Sequence, residues 1–169
     1  MTNTKDIQEL VCKEEVIKGN LPCENIQVAF IQGEQDVLSI LKSGYVAEYE
    51  VKVSRSDFKA DAKKSKWKSY ALKIERHMPN YFSYVCPPGM IKEYEVQSFA
   101  GLIYAHDNHL EVIKKAKILH RFKHDITGML KKFARVKSER KYLGSCLMTY
   151  QNNQIKERRK ELLEKHKAL

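Results

Sequence analysis

The chain has no long apolar run. No stretch approaches the roughly 18 apolar residues a membrane-spanning helix requires, so no membrane association is expected. The opening Met1-Thr2-Asn3-Thr4-Lys5-Asp6 lacks a signal-peptide pattern. Cysteine is sparse: Cys12, Cys23, Cys86 and Cys146 are scattered and no two form a C-x-x-C pair. That argues against a zinc site and fits a reducing cytoplasm, the expected location. Internal repeats and low-complexity segments are missing too.

What is present is charge, unevenly placed. Residues 1–113 carry 14 Lys/Arg against 16 Asp/Glu, a net of −2, whereas residues 114–169 carry 17 against 5, a net of +12. The expected partner of so basic a second part is a polyanion. With 169 residues, the chain is long enough for one cored domain plus an appendage.

The strongest local pattern lies between Asp36 and Lys52. Asp36-Val37-Leu38-Ser39-Ile40-Leu41 and Tyr45-Val46-Ala47-Glu48-Tyr49-Glu50-Val51-Lys52 both alternate apolar and polar residues, the period of a half-buried strand. Ser43-Gly44 between them signals a turn, so the whole reads as a β-hairpin. On its second strand Ala47, Tyr49, Val51 and Val53 share one face, and Glu48, Glu50 and Lys52 the other. With a two-residue turn, Asp36 falls opposite Val51, between Glu50 and Lys52. A one-residue slip or a bulge places it on their face, and the sequence leaves the register open. Two neighbouring carboxylates repel, and a hard divalent cation such as Mg²⁺ relieves that repulsion. A lysine beside them can stabilise charge on a phosphate or orient a water, the chemistry of metal-assisted phosphodiester hydrolysis. The plainer alternative is a solvated hairpin face with a Glu-Lys ladder.

A helix is expected directly after this strand. Ser54 with Asp57 three residues on resembles a capping box. Phe58, Ala62, Trp67, Ala71 and Ile74 give an apolar stripe over residues 55–76, and Asp57, Asp61, Lys64 and Lys68 line another face. The run Glu50-Val51-Lys52-x-Ser54-x-x-Asp57-Phe58-x-x-Asp61, followed by Lys66-Trp67-x-x-Tyr70, resembles the MmcB-type DNA-repair protein family. That family belongs to the PD-(D/E)XK nuclease-like superfamily. The likeness continues through Tyr81-Phe82-Ser83-Tyr84-Val85-Cys86-Pro87, Ala100-Gly101-Leu102-Ile103-Tyr104-Ala105 and Val112-Ile113-Lys114-Lys115-Ala116, and spans roughly residues 25–120.

The resemblance implies an α/β fold, a restriction-endonuclease-like mixed central sheet flanked by helices. It implies Asp36 and Glu50 as metal-binding acids, with the Val51 carbonyl as a further ligand of Mg²⁺ or Mn²⁺, and Lys52 as the motif lysine. Ser54, Asp57, Asp61, Trp67 and Tyr70 match its supporting positions, and a first-helix glutamate, here Glu14 or its neighbours Glu9 and Glu15, often assists the metal in the superfamily. Gln35 stands where the superfamily's name has proline.

Elsewhere, residues 5–18 read as a helix stopped by Gly19-Asn20-Leu21-Pro22. Residues 26–31 read as a strand, residues 81–86 as a central strand, and residues 101–106 with 110–115 as a second hairpin around Asp107-Asn108-His109. The strand–helix–strand order between residues 45 and 86 favours a mixed sheet with helical cover. Leu119, Phe122, Ile126, Met129-Leu130 and Phe133 recur at helical spacing. This divides the chain into a nuclease-like core, 1–118, and a basic helical extension, 119–169. Lys64, Lys68, Lys131, Lys132, Arg135, Arg158 and Arg159 are the candidate nucleic-acid contacts, weighed against a solvated basic face. His120 and His124 stand at i, i+4 without a third metal ligand, which favours a helix-surface role.

Three functions follow. The first is a metal-dependent DNA nuclease acting in repair, recombination or mobile-element processing. The second is a non-catalytic nucleic-acid-binding module on the same fold, for DNA or RNA. The third is an accessory subunit that meets a protein partner, or itself, through the C-terminal helices.

Overall fold

The computed structural model describes residues 3–28, 33–61 and 77–141. The chain divides into two compact units, Met1–Met129 and Leu130–Leu169.

The first unit is built on a six-stranded mixed sheet whose spatial order follows the chain: β1 (Leu21–Ile26), β2 (Gln35–Ile40), β3 (Val46–Val51), β4 (Tyr81–Cys86), β5 (Gly101–Ala105) and β6 (Leu110–Lys114). β1, β2 and β3 form an antiparallel meander; β3, β4 and β5 run parallel; β6 returns antiparallel to β5. Helix α1 (Thr4–Ile17) packs Ile7, Leu10 and Val11 against Val37, Val51, Val85 and Ile103 on one face. Its start is capped by the Asn3 side chain, which accepts from the Asp6 N–H at 2.8 Å. At its end Gly19 adopts φ +76°, the left-handed stop that glycine tolerates. The opposite face carries Phe82, Tyr84, Cys86 and Leu102, with Phe58 of helix α2 (Arg55–Asp61) packed on Tyr84. The expected mixed sheet with helices on its faces is therefore what the chain forms.

Three expectations are revised. The first strand begins at Leu21 rather than residue 26. Pro22 is compatible with it because β1 is an edge strand, where fewer ladder bonds are required. Residues 115–125 form no helix, and helical structure begins at Ile126 and runs through residue 141. The reason is tertiary: the Asn80 amide donates to the carbonyls of His120 (3.1 Å) and Phe122 (3.0 Å), which removes the acceptors a helix would use. His120 and His124 are accordingly buried against Asn80 and Met78, not on a helix surface. The helix read over 55–76 is seen as Arg55–Asp61, and residues 62–76 lie outside the described residues.

Candidate acidic site on the central hairpin

The hairpin register is decided by its turn. Leu41 N–H bonds the Tyr45 carbonyl (2.9 Å) and Gly44 N–H bonds the Leu41 carbonyl (2.8 Å), which leaves a three-residue loop, Lys42-Ser43-Gly44. Gly44 sits at φ +73°, the left-handed position such loops reserve for glycine. The third loop residue shifts the ladder one step from the two-residue count, so Val37 pairs with Tyr49 and Leu38 with Glu48. The paired ladder ends there, so Asp36 lies one step beyond it, beside the end of the strand whose other face carries Glu48, Glu50 and Lys52.

That face is not solvated. Glu48, Glu50 and Lys52 are only 1%, 3% and 2% exposed. The Lys52 ammonium lies 2.8 Å from Glu50 Oε1, 3.3 Å from Asp61 Oδ1 and 3.5 Å from Asp57 Oδ1. Asp61 is fully buried, and its other oxygen accepts from the Tyr84 hydroxyl at 2.7 Å. Burial and this carboxylate acceptor together push the Tyr84 phenol well above its usual range. The ladder explains the meeting: β3 and β4 are parallel with Glu50 beside Tyr84. The helix start explains Asp57 and Asp61. Ser54 Oγ accepts the Asp57 N–H at 3.2 Å, as its capping position implies, and one turn later the helix brings Asp61 over Lys52.

Asp36 closes the hairpin's open end. Its Oδ2 accepts the Val51 N–H at 2.7 Å, and its Oδ1 lies 3.4 Å from Gln8 Nε2 of α1. Gln8 also donates to Asn25 Oδ1 at 2.8 Å, and Asn25 holds φ +43° within β1. The α1 side chain beside Asp36 is thus Gln8. Glu14 lies about 9 Å further along the helix axis. Glu15, the other buried acid of α1, bonds Lys18 (3.0 Å) and Asn20 (2.9 Å). Burial pushes its carboxyl up, but the bonds from Lys18, Asn20 and Ser39 outweigh this and hold it below its usual range.

Opposite the first turn of α2, Arg55 forks onto Glu95 with both contacts at 2.6 Å and also reaches the Met90 carbonyl at 2.9 Å. The Arg55 hydrogen bonds, with one from the Lys92 N–H, hold the Glu95 carboxyl at about 2. This ties the 87–100 loop to the helix that carries Asp57 and Asp61.

Of the residues singled out in the sequence, Asp36, Glu50, Lys52, Ser54, Asp57 and Asp61 converge on this end of the hairpin. Lys131, Lys132 and Arg135 lie in the second unit, where Arg135 pairs with Glu139 at 3.5 Å. Lys64, Lys68, Tyr70, Arg158 and Arg159 lie outside the described residues. Tyr84, Gln8 and Asn25 were not anticipated. The alternation of Phe82, Tyr84 and Cys86 was the one signal that put Tyr84 on the Glu50 face.

Among the described residues no group of three or more His, Cys, Asp or Glu side chains has an arrangement that would hold a metal ion. The donor set on the hairpin is smaller, two carboxylates from adjacent strands. It offers hard oxygens, with the Lys52 ammonium within 3.5 Å of Glu50, Asp57 and Asp61. One or two carboxylates completed by water suffice for Mg²⁺.

No family model and no curated protein sequence matches the chain. Among solved structures it is similar to SPO1766, a protein of unknown function from Silicibacter pomeroyi, with a TM-score of 0.62 at 20% identity over 83% of this chain and 89% of that one. The likeness is one of fold. Among the described residues no helix is long and apolar enough to cross a membrane.

Proposed function

We propose that the chain is a metal-dependent nuclease of the PD-(D/E)XK type, with a restriction-endonuclease-like fold, acting on DNA in repair, recombination or mobile-element processing. The observation that supports this best is the buried Glu50–Lys52 pair at the end of β3, with Asp36 bonded to the Val51 N–H between them in sequence. A protein gains little stability from burying such charges, because desolvation offsets their attraction.

In this reading Asp36 and Glu50, with the Val51 carbonyl, would hold Mg²⁺ or Mn²⁺, which when bound would polarise the phosphate and activate a water. Asp36 is oriented by the Val51 N–H and Gln8. Lys52 neutralises charge developing on the attacked phosphate or positions the water. Asp61, itself fixed by Tyr84, holds the Lys52 ammonium in place. The test is cleavage of labelled single-stranded, duplex and flapped DNA with Mg²⁺, Mn²⁺ or EDTA, wild type beside Glu50→Gln and Asp36→Asn, with folding checked by circular dichroism. Metal-dependent cleavage that falls at least about 100-fold in both variants is expected. Cleavage retained in both would remove the site from the mechanism.

One observation favours a second reading, a non-catalytic nucleic-acid-binding module. Lys52 already lies within 3.5 Å of three carboxylates, as a purely structural lysine would. Binding without turnover under every metal condition would select it.

A further inference from the structure

A second charged feature lies at the other end of the same strands. Residues 114–124 carry five Lys/Arg and no Asp or Glu. After β6 this segment leaves the sheet and crosses its lower edge. Lys117 N–H bonds the Phe99 carbonyl (2.9 Å), ahead of β5, and Leu119 N–H bonds the Asn80 carbonyl (2.9 Å), ahead of β4. Lys123 Nζ reaches the Ser43 carbonyl (2.7 Å), in the loop ahead of β3. The strap is pinned from beneath by the Asn80 amide and by His120, whose Nε2 lies 3.1 Å from the Met78 carbonyl.

Two of its five charges are spent on the fold and three are not. Lys114 and Lys123 bond backbone carbonyls, at Gln97 and Ser43. Lys115, Lys117 and Arg121 are exposed, and among the described residues their side chains form no ion pair or hydrogen bond. The acids that flank the strap are engaged elsewhere: Glu111 with His106 at 2.9 Å, and Asp125 with the Gly128 N–H at 3.0 Å. Beside the free cations stand two exposed apolar side chains, Ile118 next to Lys117 and Phe122 next to Arg121, each 40% exposed. Three unpaired cations on a rigid backbone, interleaved with an aromatic ring, match a phosphate backbone whose bases are open for stacking. A duplex hides its bases and could use only the charges.

We propose that the 114–123 strap is a binding site for single-stranded nucleic acid: Lys115, Lys117 and Arg121 contact phosphates and Phe122 stacks on a base. The site is separate from the acidic cluster. Four residues of β4, about 13 Å of rise, separate the Asn80 level from the Tyr84 level. It does not depend on the nuclease reading.

The test is fluorescence anisotropy of a labelled oligo-dT strand, and of a duplex of equal length, over a salt series in EDTA, which removes cleavage from the measurement. The full-length chain is compared with a Lys115→Ala/Lys117→Ala/Arg121→Ala variant and with Phe122→Ala, each checked by thermal melting. The triple variant is expected to bind oligo-dT roughly tenfold more weakly at low salt, with a log–log salt slope shallower by about 2. Phe122→Ala is expected to weaken the single strand about tenfold and leave the duplex unchanged. Unchanged affinity and slope in the triple variant would overturn the site and leave DNA binding to the second unit. A Phe122→Ala variant that weakens both ligands equally, or neither, would overturn the single-strand assignment. Binding of wild type to anionic vesicles but not to either DNA would replace a nucleic acid with a lipid surface.

Discussion

Lys52 and Lys117 sit at opposite ends of the central sheet and carry the same charge, yet the fold uses them in opposite ways. Lys52 is buried with three carboxylates within 3.5 Å. Lys117 is exposed, and among the described residues its ammonium has no partner. A buried charge must be compensated inside the molecule, because desolvation costs several kcal/mol per ion. An exposed one is compensated by water and leaves its field available to a ligand. The difference separates a site where chemistry is arranged within the protein from a surface where the partner supplies the opposite charge.

The contrast is open to direct attack, and the largest effect is at the buried end. Lys52→Ala removes the buried ammonium that Glu50 and Asp61 share and is expected to cost about 3–5 kcal/mol in urea unfolding, against no more than about 0.5 kcal/mol for Lys117→Ala. Equal costs would erase the distinction. Asn80→Ala comes next. It removes the acceptor of the Val46 N–H (2.8 Å) and the donor to two strap carbonyls. A loss of about 3 kcal/mol is expected, with weaker oligo-dT binding because the strap loses its anchor. Wild-type binding in that variant would show that the strap's order is irrelevant to its affinity.

Acid probes the same anchor. Burial, and then neighbouring His120, push the His124 imidazole down to about 4. Its folded value lies below the unfolded one near 6.5, so its contribution to stability is present above pH ~6.5 and is lost as pH falls toward 4. Unfolding followed between pH 7 and pH 4 should show a decline of about 2 kcal/mol, after allowance for partial solvent screening, that is absent in His124→Gln. Tyr84→Phe has the smallest expected effect, about 1–2 kcal/mol from the lost bond to Asp61. Any fall in cleavage with that variant should exceed what its stability explains, if Asp61 needs Tyr84 to hold Lys52.

How far the sequence carries is visible in these residues. Alternation in 36–41 and 45–52 located β2 and β3 because one face of each strand packs on α1. Ser54 announced the start of α2 because a hydroxyl that caps a helix acts within three residues. Burial of Glu48, Glu50 and Lys52 was not legible: alternation marks two faces but not which is covered, and a polar face normally means solvent. The strap was misread as helix for a related reason. Its apolar spacing is helical, but Asn80, some 40 residues away, takes the carbonyls that a helix would need.

By itself the sequence determined the strand and helix periods, the hairpin, the cap at Ser54 and the split of charge between the two parts of the chain. These depend on neighbours within a few residues. Only the tertiary structure decided which face of the hairpin is covered, the partners of Lys52 and the path of the basic strap. Each depends on contacts between segments distant in sequence. Gly44 shows where the two meet: one left-handed residue in a three-residue loop selects the ladder, and the ladder selects which charges share a face.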